Sequence, residues 1–144
     1  MTRTQRLRPV VQHTDKKEQR ALQEVAQSQG MLDGEQTRLT QLQDYKLEYL
    51  QKKKYDIGIF TPIELQEFNR FMQQLDQTIE RQMELVTARQ QELEHKRQLW
   101  TATRIDSKKM HKVVEKLQQQ EFVEQERKEQ KALDEFALRN NNRR

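Results

Sequence analysis

The sequence predicts an all-α protein: an elongated antiparallel two-helix coiled-coil hairpin with a C-terminal single-helix extension. Hydrophobic residues make up 33% and charged residues 35% of the 144, a composition too polar to surround a globular core. Three glycines and two prolines are too few for a disordered chain. Apolar residues also recur at spacings of three and four along two stretches separated by a short break. Residues 1–144 are therefore expected to form a single coiled-coil domain.

The first helix is predicted over about residues 9–54, because proline is tolerated in the first turn of a helix and Pro9 precedes the pattern. Gly30 and Gly34 lie in its middle, and each costs about 1 kcal/mol relative to alanine. If the first helix bends or frays anywhere, we expect it to do so in this segment. The apolar stripe of the first helix, here called its seam, visits Val11, Thr14, Glu18, Ala21, Val25, Ser28, Leu32, Glu35, Leu39, Leu42, Lys46 and Tyr49.

The turn is predicted at residues 55–61, where the pattern stops. Lys52, Lys53 and Lys54 place positive charge near the unpaired carbonyls that end a helix, and Gly58 supplies a flexible residue. Seven residues are too few for a parallel return, so the helices are expected to pack antiparallel. With Tyr49 near Leu65, residue i should face residue 114 minus i. That register pairs Leu42 with Met72, Val25 with Arg89, and Val11 with Thr103.

The second helix is predicted over about residues 62–138. Thr61, Pro62 and Glu64 form a capping-box pattern, and Phe60 with Leu65 can add a hydrophobic staple. A stripe that stays in phase for about seven heptads is a coiled-coil seam, which a lone helix cannot bury. The second seam visits Leu65, Phe68, Met72, Leu75, Ile79, Gln82, Val86, Arg89, Leu93, Lys96, Trp100, Thr103, Ser107, Met110, Val114 and Leu117.

The C-terminal residues after Leu117 are predicted to form a polar single helix, because the next seam steps fall on charged side chains.

Few residues of the chain are candidates for catalysis or for ligand binding. There is no cysteine, no phosphate-binding glycine motif and no run of eighteen apolar residues. His13, His95 and His111 lack a second histidine at metal-ligand spacing. We therefore expect a cytoplasmic binding protein that is not an enzyme, takes no cofactor or metal and has no direct membrane insertion.

Two surface features suggest binding. Arg104, Lys108, Lys112 and Lys116 form a row of like charges that would destabilise an isolated helix. The hairpin should bring six N-terminal cations to the same end, which is either a solubilising face or a contact for an acidic partner or for phosphates. The six are Arg3, Arg6, Arg8, Lys16, Lys17 and Arg20. Near the turn, Tyr45 and Phe71 flank the seam, as the edge of a core or a binding hot spot would.

The chain resembles the FliJ family of the bacterial flagellar type III export apparatus. The resemblance is carried by Asp44-Tyr45 followed by Glu48-Tyr49, by residues 67–82, by Arg97 with Trp100, and by residues 129–137. It covers essentially the whole chain, and the Asp-Tyr…Glu-Tyr segment and the Leu-Asp-Glu-Phe-Ala ending are its more specific parts.

The resemblance implies a coupling protein shaped like the central stalk of rotary ATPases. It implies binding to the hexameric export ATPase FliI, to the export gate protein FlhA and to chaperones of late substrates, at the cytoplasmic face of the inner membrane. The implied gate-binding residues are Leu42, Tyr45, Tyr49, Phe71, Leu75, Thr78 and Gln82. The implied ATPase-binding residues are the ten cations named above together with Leu133 and Phe136.

Two other functions remain open from the residues. A basic helical arm could contact tRNA or another nucleic acid, like the coiled-coil arm of seryl-tRNA synthetase. Acidic residues interleaved through much of the chain and the lack of an aromatic platform beside the lysines weigh against it. Alternatively, the seams of two chains could pair in a scaffold dimer.

Overall fold

The computed structural model describes residues 2–143. It contains helix α1 (Arg3–Lys54), a short 3₁₀ helix (Ile57–Ile59) and helix α2 (Pro62–Asn142). Helices α1 and α2 pack antiparallel as a hairpin, which confirms the predicted all-α hairpin. The C-terminal residues belong to α2 and form no separate element among the described residues.

Helix α1 begins at Arg3, so the predicted start near Pro9 is wrong. Thr2 caps the helix: its Oγ1 accepts a hydrogen bond from the Gln5 backbone N–H (3.2 Å), and the Gln5 side-chain oxygen accepts one from the Thr2 N–H (3.1 Å). This pair is a capping box, which fixes the helix start ahead of the proline. Pro9 then removes one main-chain hydrogen bond within α1 without ending the helix.

Helix α2 begins at Pro62, as predicted. The Thr61 hydroxyl accepts a hydrogen bond from the Glu64 backbone N–H (3.2 Å), which confirms Thr61 as the cap. Phe60 lies against the ring of Phe68, with 5.9 Å between centroids, while Leu65 is 40% exposed. An aromatic contact one turn further along α2 therefore accompanies the cap.

Helix α1 continues through Gly30 and Gly34 without interruption. Both glycines are exposed, and a methyl group added to either would meet nothing within 4 Å. Their neighbours Ser28 and Leu32 are buried. Contact with α2 thus holds this segment helical despite its low propensity. Gly58 has no positive φ, so the turn does not require glycine there.

The chain divides into two compact units. The terminal unit comprises residues up to Arg20 and from Thr101 onward, and the central unit comprises Ala21–Trp100. In the central unit Leu32, Val86 and Leu93 form the core, with Val25 and Leu39 packed against it. In the terminal unit the contact between α1 and α2 is more polar. Seven of the twelve buried or half-buried residues described in this unit are polar or charged, namely Thr4, Thr14, Asp15, Glu18, Thr103, Ser107 and Glu121.

The predicted seams are confirmed position by position. Every seam residue from Val11 to Tyr49 on α1 is buried or half-buried. On α2 the same holds from Phe68 to Leu117, and Leu65 is the exception. The seam also continues further than predicted, to Thr4 on α1 and Glu121 on α2. There, the Thr4 backbone N–H and hydroxyl both donate to the Glu121 carboxylate, at 3.1 and 2.9 Å.

The predicted register is wrong, since the partners on α2 lie about one to three helical turns beyond their expected positions. Tyr49 contacts Phe68 and Phe71 instead of Leu65. The 3₁₀ helix connects α1 to α2, and α2 begins to pack on α1 only after its first turn. The first turn of α2 therefore precedes the seam, and Ile63 there is 69% exposed.

Candidate functional site

Five aromatic side chains gather beside the turn in the central unit, and we call them the aromatic cluster. Tyr49 lies in the middle, with its ring centroid 4.6 Å from Phe71, 5.8 Å from Phe68 and 6.3 Å from Tyr45. Phe71 also meets Tyr45 edge-on at 6.4 Å, and Phe60 lies on Phe68. Rings at these distances and angles attract each other beyond simple burial. The cluster therefore joins the end of α1 to the start of α2.

The aromatic cluster is partly accessible. Tyr45 is 49% exposed, whereas the other four rings are half-buried. The Lys53 ammonium lies 5.9 Å from the ring centroids of both Tyr49 and Phe60, at the limit of a cation–π contact. Tyr45 thus forms an accessible edge on a set of rings whose positions are fixed by packing.

Positive charge is concentrated in the terminal unit. Residues 2–20 and 101–120 contain eleven Lys and Arg but four Asp and Glu. Ten of these cations, which we call the basic surface, are all exposed. They are Arg3, Arg6, Arg8, Lys16, Lys17, Arg20, Arg104, Lys108, Lys112 and Lys116.

Two acidic side chains of the terminal unit, Asp15 and Glu121, accept hydrogen bonds that join α1 to α2. The Ser107 hydroxyl donates to the Asp15 carboxylate (2.7 Å), and His111 Nε2 lies 2.9 Å from the same oxygen. The hydrogen bond from Ser107, followed by that from His111, lowers the pKa of Asp15 below its ordinary value. Glu121 accepts both hydrogen bonds from Thr4. These two carboxylates thus hold the helices together while the cations remain exposed.

A protein-family model described as flagellar FliJ protein matches residues 3–144. The chain belongs to the FliJ family. FliJ proteins are non-catalytic components of the flagellar export apparatus. Comparison with curated proteins and with solved structures gave no match.

In this FliJ chain the residues predicted to bind the gate all fall in the central unit, but they differ in accessibility. Leu75 and Gln82 are 8% and 7% exposed, so they offer little surface to a partner. Gln82 Nε2 donates to the Glu35 backbone carbonyl (3.0 Å), which bonds α2 to α1. Thr78 is exposed, and its hydroxyl donates to the Gln74 carbonyl (2.9 Å). Tyr45 and Thr78 are thus the accessible members, with Leu42, Tyr49 and Phe71 half-buried.

Phe60, Phe68 and Lys53 are not grouped with Tyr45, Tyr49 and Phe71 in the sequence prediction, although the structure brings them together. Phe68 is a seam residue and Phe60 is the predicted staple residue. Each of these side chains also contacts a ring of the aromatic cluster. The available signal was the i, i+4 spacing of Tyr45 and Tyr49 and the i, i+3 spacing of Phe68 and Phe71. Such spacings put each pair on one helix face, on either side of a short turn.

The C-terminal part of α2 is exposed throughout, from Phe122 to Asn142. Leu133 and Phe136, predicted to contact the ATPase, are 63% and 64% exposed. No helix within residues 2–143 is apolar enough over a sufficient length to cross a membrane. Within the same residues, no three His, Asp or Glu side chains are grouped so that they could hold a metal ion.

Proposed function

We propose that this FliJ protein is a coupling stalk of flagellar protein export that binds two partners through two chemically different surfaces. The basic surface binds and stimulates the export ATPase ring, FliI. The accessible edge of the aromatic cluster contacts the export gate, FlhA. The protein works at the cytoplasmic face of the inner membrane during flagellum assembly and also handles escort chaperones of late substrates. The division of charge between the two units carries this proposal.

The ATPase assignment is supported by ten exposed cations in the terminal unit. A row of like charges on one helix face costs free energy unless an acidic partner compensates for it. Arg104, Lys108, Lys112 and Lys116 make such a row at spacing four. Exposed cations of this kind accelerate association with an acidic channel more than they stabilise the fold.

The exposed C-terminal part of α2 is assigned to the same partner. Helix α2 has 81 residues and α1 has 52, and the last buried or half-buried residue of α2 is Glu121. We propose that residues 122–142 form a single-helix extension beyond the end of α1. Leu133 and Phe136, three residues apart on this helix, would be its apolar contacts.

The gate assignment is supported by Tyr45, the most exposed ring of the aromatic cluster. Aromatic anchors with fixed neighbours dominate many protein interfaces because little conformational entropy is lost on binding. Thr78, also exposed and in the central unit, is proposed to contact the same partner. Leu75 and Gln82 would act indirectly, by holding α2 against α1.

The ATPase proposal is tested by stimulation of FliI hydrolysis by the triple variant Arg104→Gln, Lys108→Gln, Lys112→Gln. We expect the half-maximal concentration to rise about tenfold or more, since each exposed charge contributes a fraction of a kcal/mol. A matched control is Arg38→Gln, Arg70→Gln, Arg81→Gln, which removes three exposed cations from the central unit. Equal loss in both triple variants would mean a nonspecific charge effect.

The same triple variant distinguishes the nucleic-acid alternative. If ATPase stimulation stays at the wild-type level while binding to tRNA collapses with a steep salt dependence, the basic surface is a nucleic-acid site.

The gate proposal is tested by a single substitution in the aromatic cluster. Tyr45→Ala should abolish FlhA binding, whereas Leu47→Ala should not. Leu47 is a suitable control because it is 59% exposed on the same helix.

A further inference from the structure

The turn between α1 and α2 carries an exposed apolar group that the export partners above do not explain. Tyr55, Ile59 and Ile63 are 83%, 79% and 69% exposed, the three highest values among the exposed large hydrophobic side chains of the described residues. All three lie within nine residues of sequence, in the last turn before α2 and the first turn of α2. We call these three residues the turn tip. They do not belong to the aromatic cluster, whose rings pack on one another.

Positive charge accompanies the turn tip. Lys52, Lys53 and Lys54 end α1 directly before Tyr55, and Asp56 and Glu64 are the two acidic residues within 52–64. Lys52 and Lys54 are exposed, and Lys53 lies over the rings of Tyr49 and Phe60. The local excess of positive charge contrasts with the central unit as a whole, which has ten Lys and Arg and thirteen Asp and Glu.

We propose that the turn tip docks on an anionic lipid surface, with Tyr55, Ile59 and Ile63 entering the boundary between headgroups and acyl chains. Lysines beside a membrane surface are attracted to anionic headgroups, and their long stems let the ammonium groups stay in the headgroup layer. Tyrosine is enriched at this depth because its ring is apolar and its hydroxyl is polar. The inference goes beyond the coupling function and departs from the expectation of no direct membrane insertion.

An anionic bilayer fits these observations better than a protein partner. Protein hot spots are well-packed anchors with fixed neighbours, and here those are the rings of the aromatic cluster. The side chains of the turn tip are instead among the least covered of the described residues. Interfacial docking requires an insertion depth of about 5–10 Å, which side chains on a short turn can reach without a spanning helix.

Sedimentation with vesicles tests the proposal on the full chain. The wild-type protein should bind vesicles of phosphatidylcholine with phosphatidylglycerol and should not bind vesicles of phosphatidylcholine alone. Lys52→Gln with Lys54→Gln should lower the partition coefficient roughly 25-fold, about fivefold for each lysine. The triple variant Tyr55→Ser, Ile59→Ser, Ile63→Ser should bind anionic vesicles clearly less than the wild type, and the exposed cations of the basic surface account for the binding that remains. Circular dichroism should show unchanged helicity, because these side chains are exposed.

The matched control is Phe122→Ser with Leu138→Ser, which removes two large apolar side chains that are 64% and 63% exposed in the terminal unit. It should bind anionic vesicles as the wild type does. The proposal is overturned if the wild type fails to sediment with anionic vesicles, if the turn-tip variant binds as strongly as the wild type, or if the control loses binding equally.

A depth probe separates insertion from simple charge attraction. The chain has no cysteine, so Ile59→Cys provides a single labelling site for an environment-sensitive fluorophore, and Leu138→Cys provides its control. Anionic vesicles should shift the emission of the Ile59→Cys label to shorter wavelength and leave that of the Leu138→Cys label unchanged. Vesicle binding without a shift at Ile59→Cys would show that the turn tip stays in water and would overturn the insertion.

Discussion

The terminal and central units have the same helical architecture but different surfaces. The terminal unit holds seventeen Lys and Arg against ten Asp and Glu, whereas the central unit holds ten against thirteen. The excess of positive charge in the terminal unit lies in residues 2–20 and 101–120, which hold eleven Lys and Arg against four Asp and Glu. The central unit also contains the aromatic cluster. Both units use the same three-four spacing of seam residues to join α1 and α2. The proposed difference in partners therefore rests on the side chains outside the seam.

The contacts between the helices differ as well. The central unit buries Leu32, Val86 and Leu93 together. In the terminal unit Asp15 bonds to Ser107, and Thr4 bonds to Glu121. Burying apolar side chains stabilises a fold more than hydrogen bonds between partly exposed groups, which replace bonds to water. Substitutions at the seam should thus cost more in the central unit.

The largest expected effect is at Leu93, which is 4% exposed in the core of the central unit. Leu93→Ala should lower the free energy of unfolding by about 2–3 kcal/mol, near the lower end for buried leucines because the core is narrow. Urea denaturation followed by circular dichroism measures it. The control Leu99→Ala, 44% exposed on the same helix, should change stability by less than about 1 kcal/mol. Equal losses would mean that burial does not distinguish these positions.

The aromatic cluster should show an intermediate effect. Phe71→Ala removes a half-buried ring that contacts both Tyr45 and Tyr49, and we expect a loss of about 1–2 kcal/mol in unfolding free energy. Tyr45→Ala, at the exposed edge, should cost less than about 1 kcal/mol. The same denaturation experiment compares the two. A greater loss at Tyr45 would show that the edge of the cluster is structural, which would remove it as a binding surface.

The smallest effect is expected at Asp15 in the terminal unit. Its pKa is lowered in the folded state, so its stabilising contribution is present above its unfolded-state pKa, about 4, and is lost as pH falls through the lowered value. The carboxylate is 40% exposed, so solvent screening keeps this contribution below about 1 kcal/mol.

Urea midpoints of the wild type and Asp15→Asn should differ by a steady amount between about pH 5 and pH 6 and converge below about pH 4. The exposed Asp106 provides the control Asp106→Asn. The difference between its urea midpoint and that of the wild type should not shrink as the pH falls. A difference that grew with acidity would contradict the lowered pKa.

The seam and the start of α2 could be predicted from the sequence because each depends on local patterns. The three-four spacing identifies which side chains face the partner helix, and Thr61, Pro62 and Glu64 form a local cap. The start of α1 was also encoded, by Thr2 and Gln5, but Pro9 suggested a later start. Two local signals competed there, and the capping box determined the outcome.

The register and the accessibility of the site could not be predicted in the same way. Register depends on how the 3₁₀ helix carries the chain between α1 and α2, and sequence spacing does not specify that path. Leu75 and Gln82 are buried because they occupy seam positions, whereas the resemblance to FliJ pointed to them as partner contacts. The low helix propensity of Gly30 and Gly34 does not interrupt α1, because contact with α2 overrides it.

The central claim is that the two units bind their partners through different physical forces. It is tested most directly by measuring the affinity of the wild-type chain for FliI and for FlhA over the same range of salt concentration. Salt screens exposed charges but leaves the burial of aromatic side chains largely intact. The affinity for FliI should fall steeply with salt while the affinity for FlhA stays nearly constant. A parallel fall in both affinities would contradict the division of function between the basic surface and the aromatic cluster.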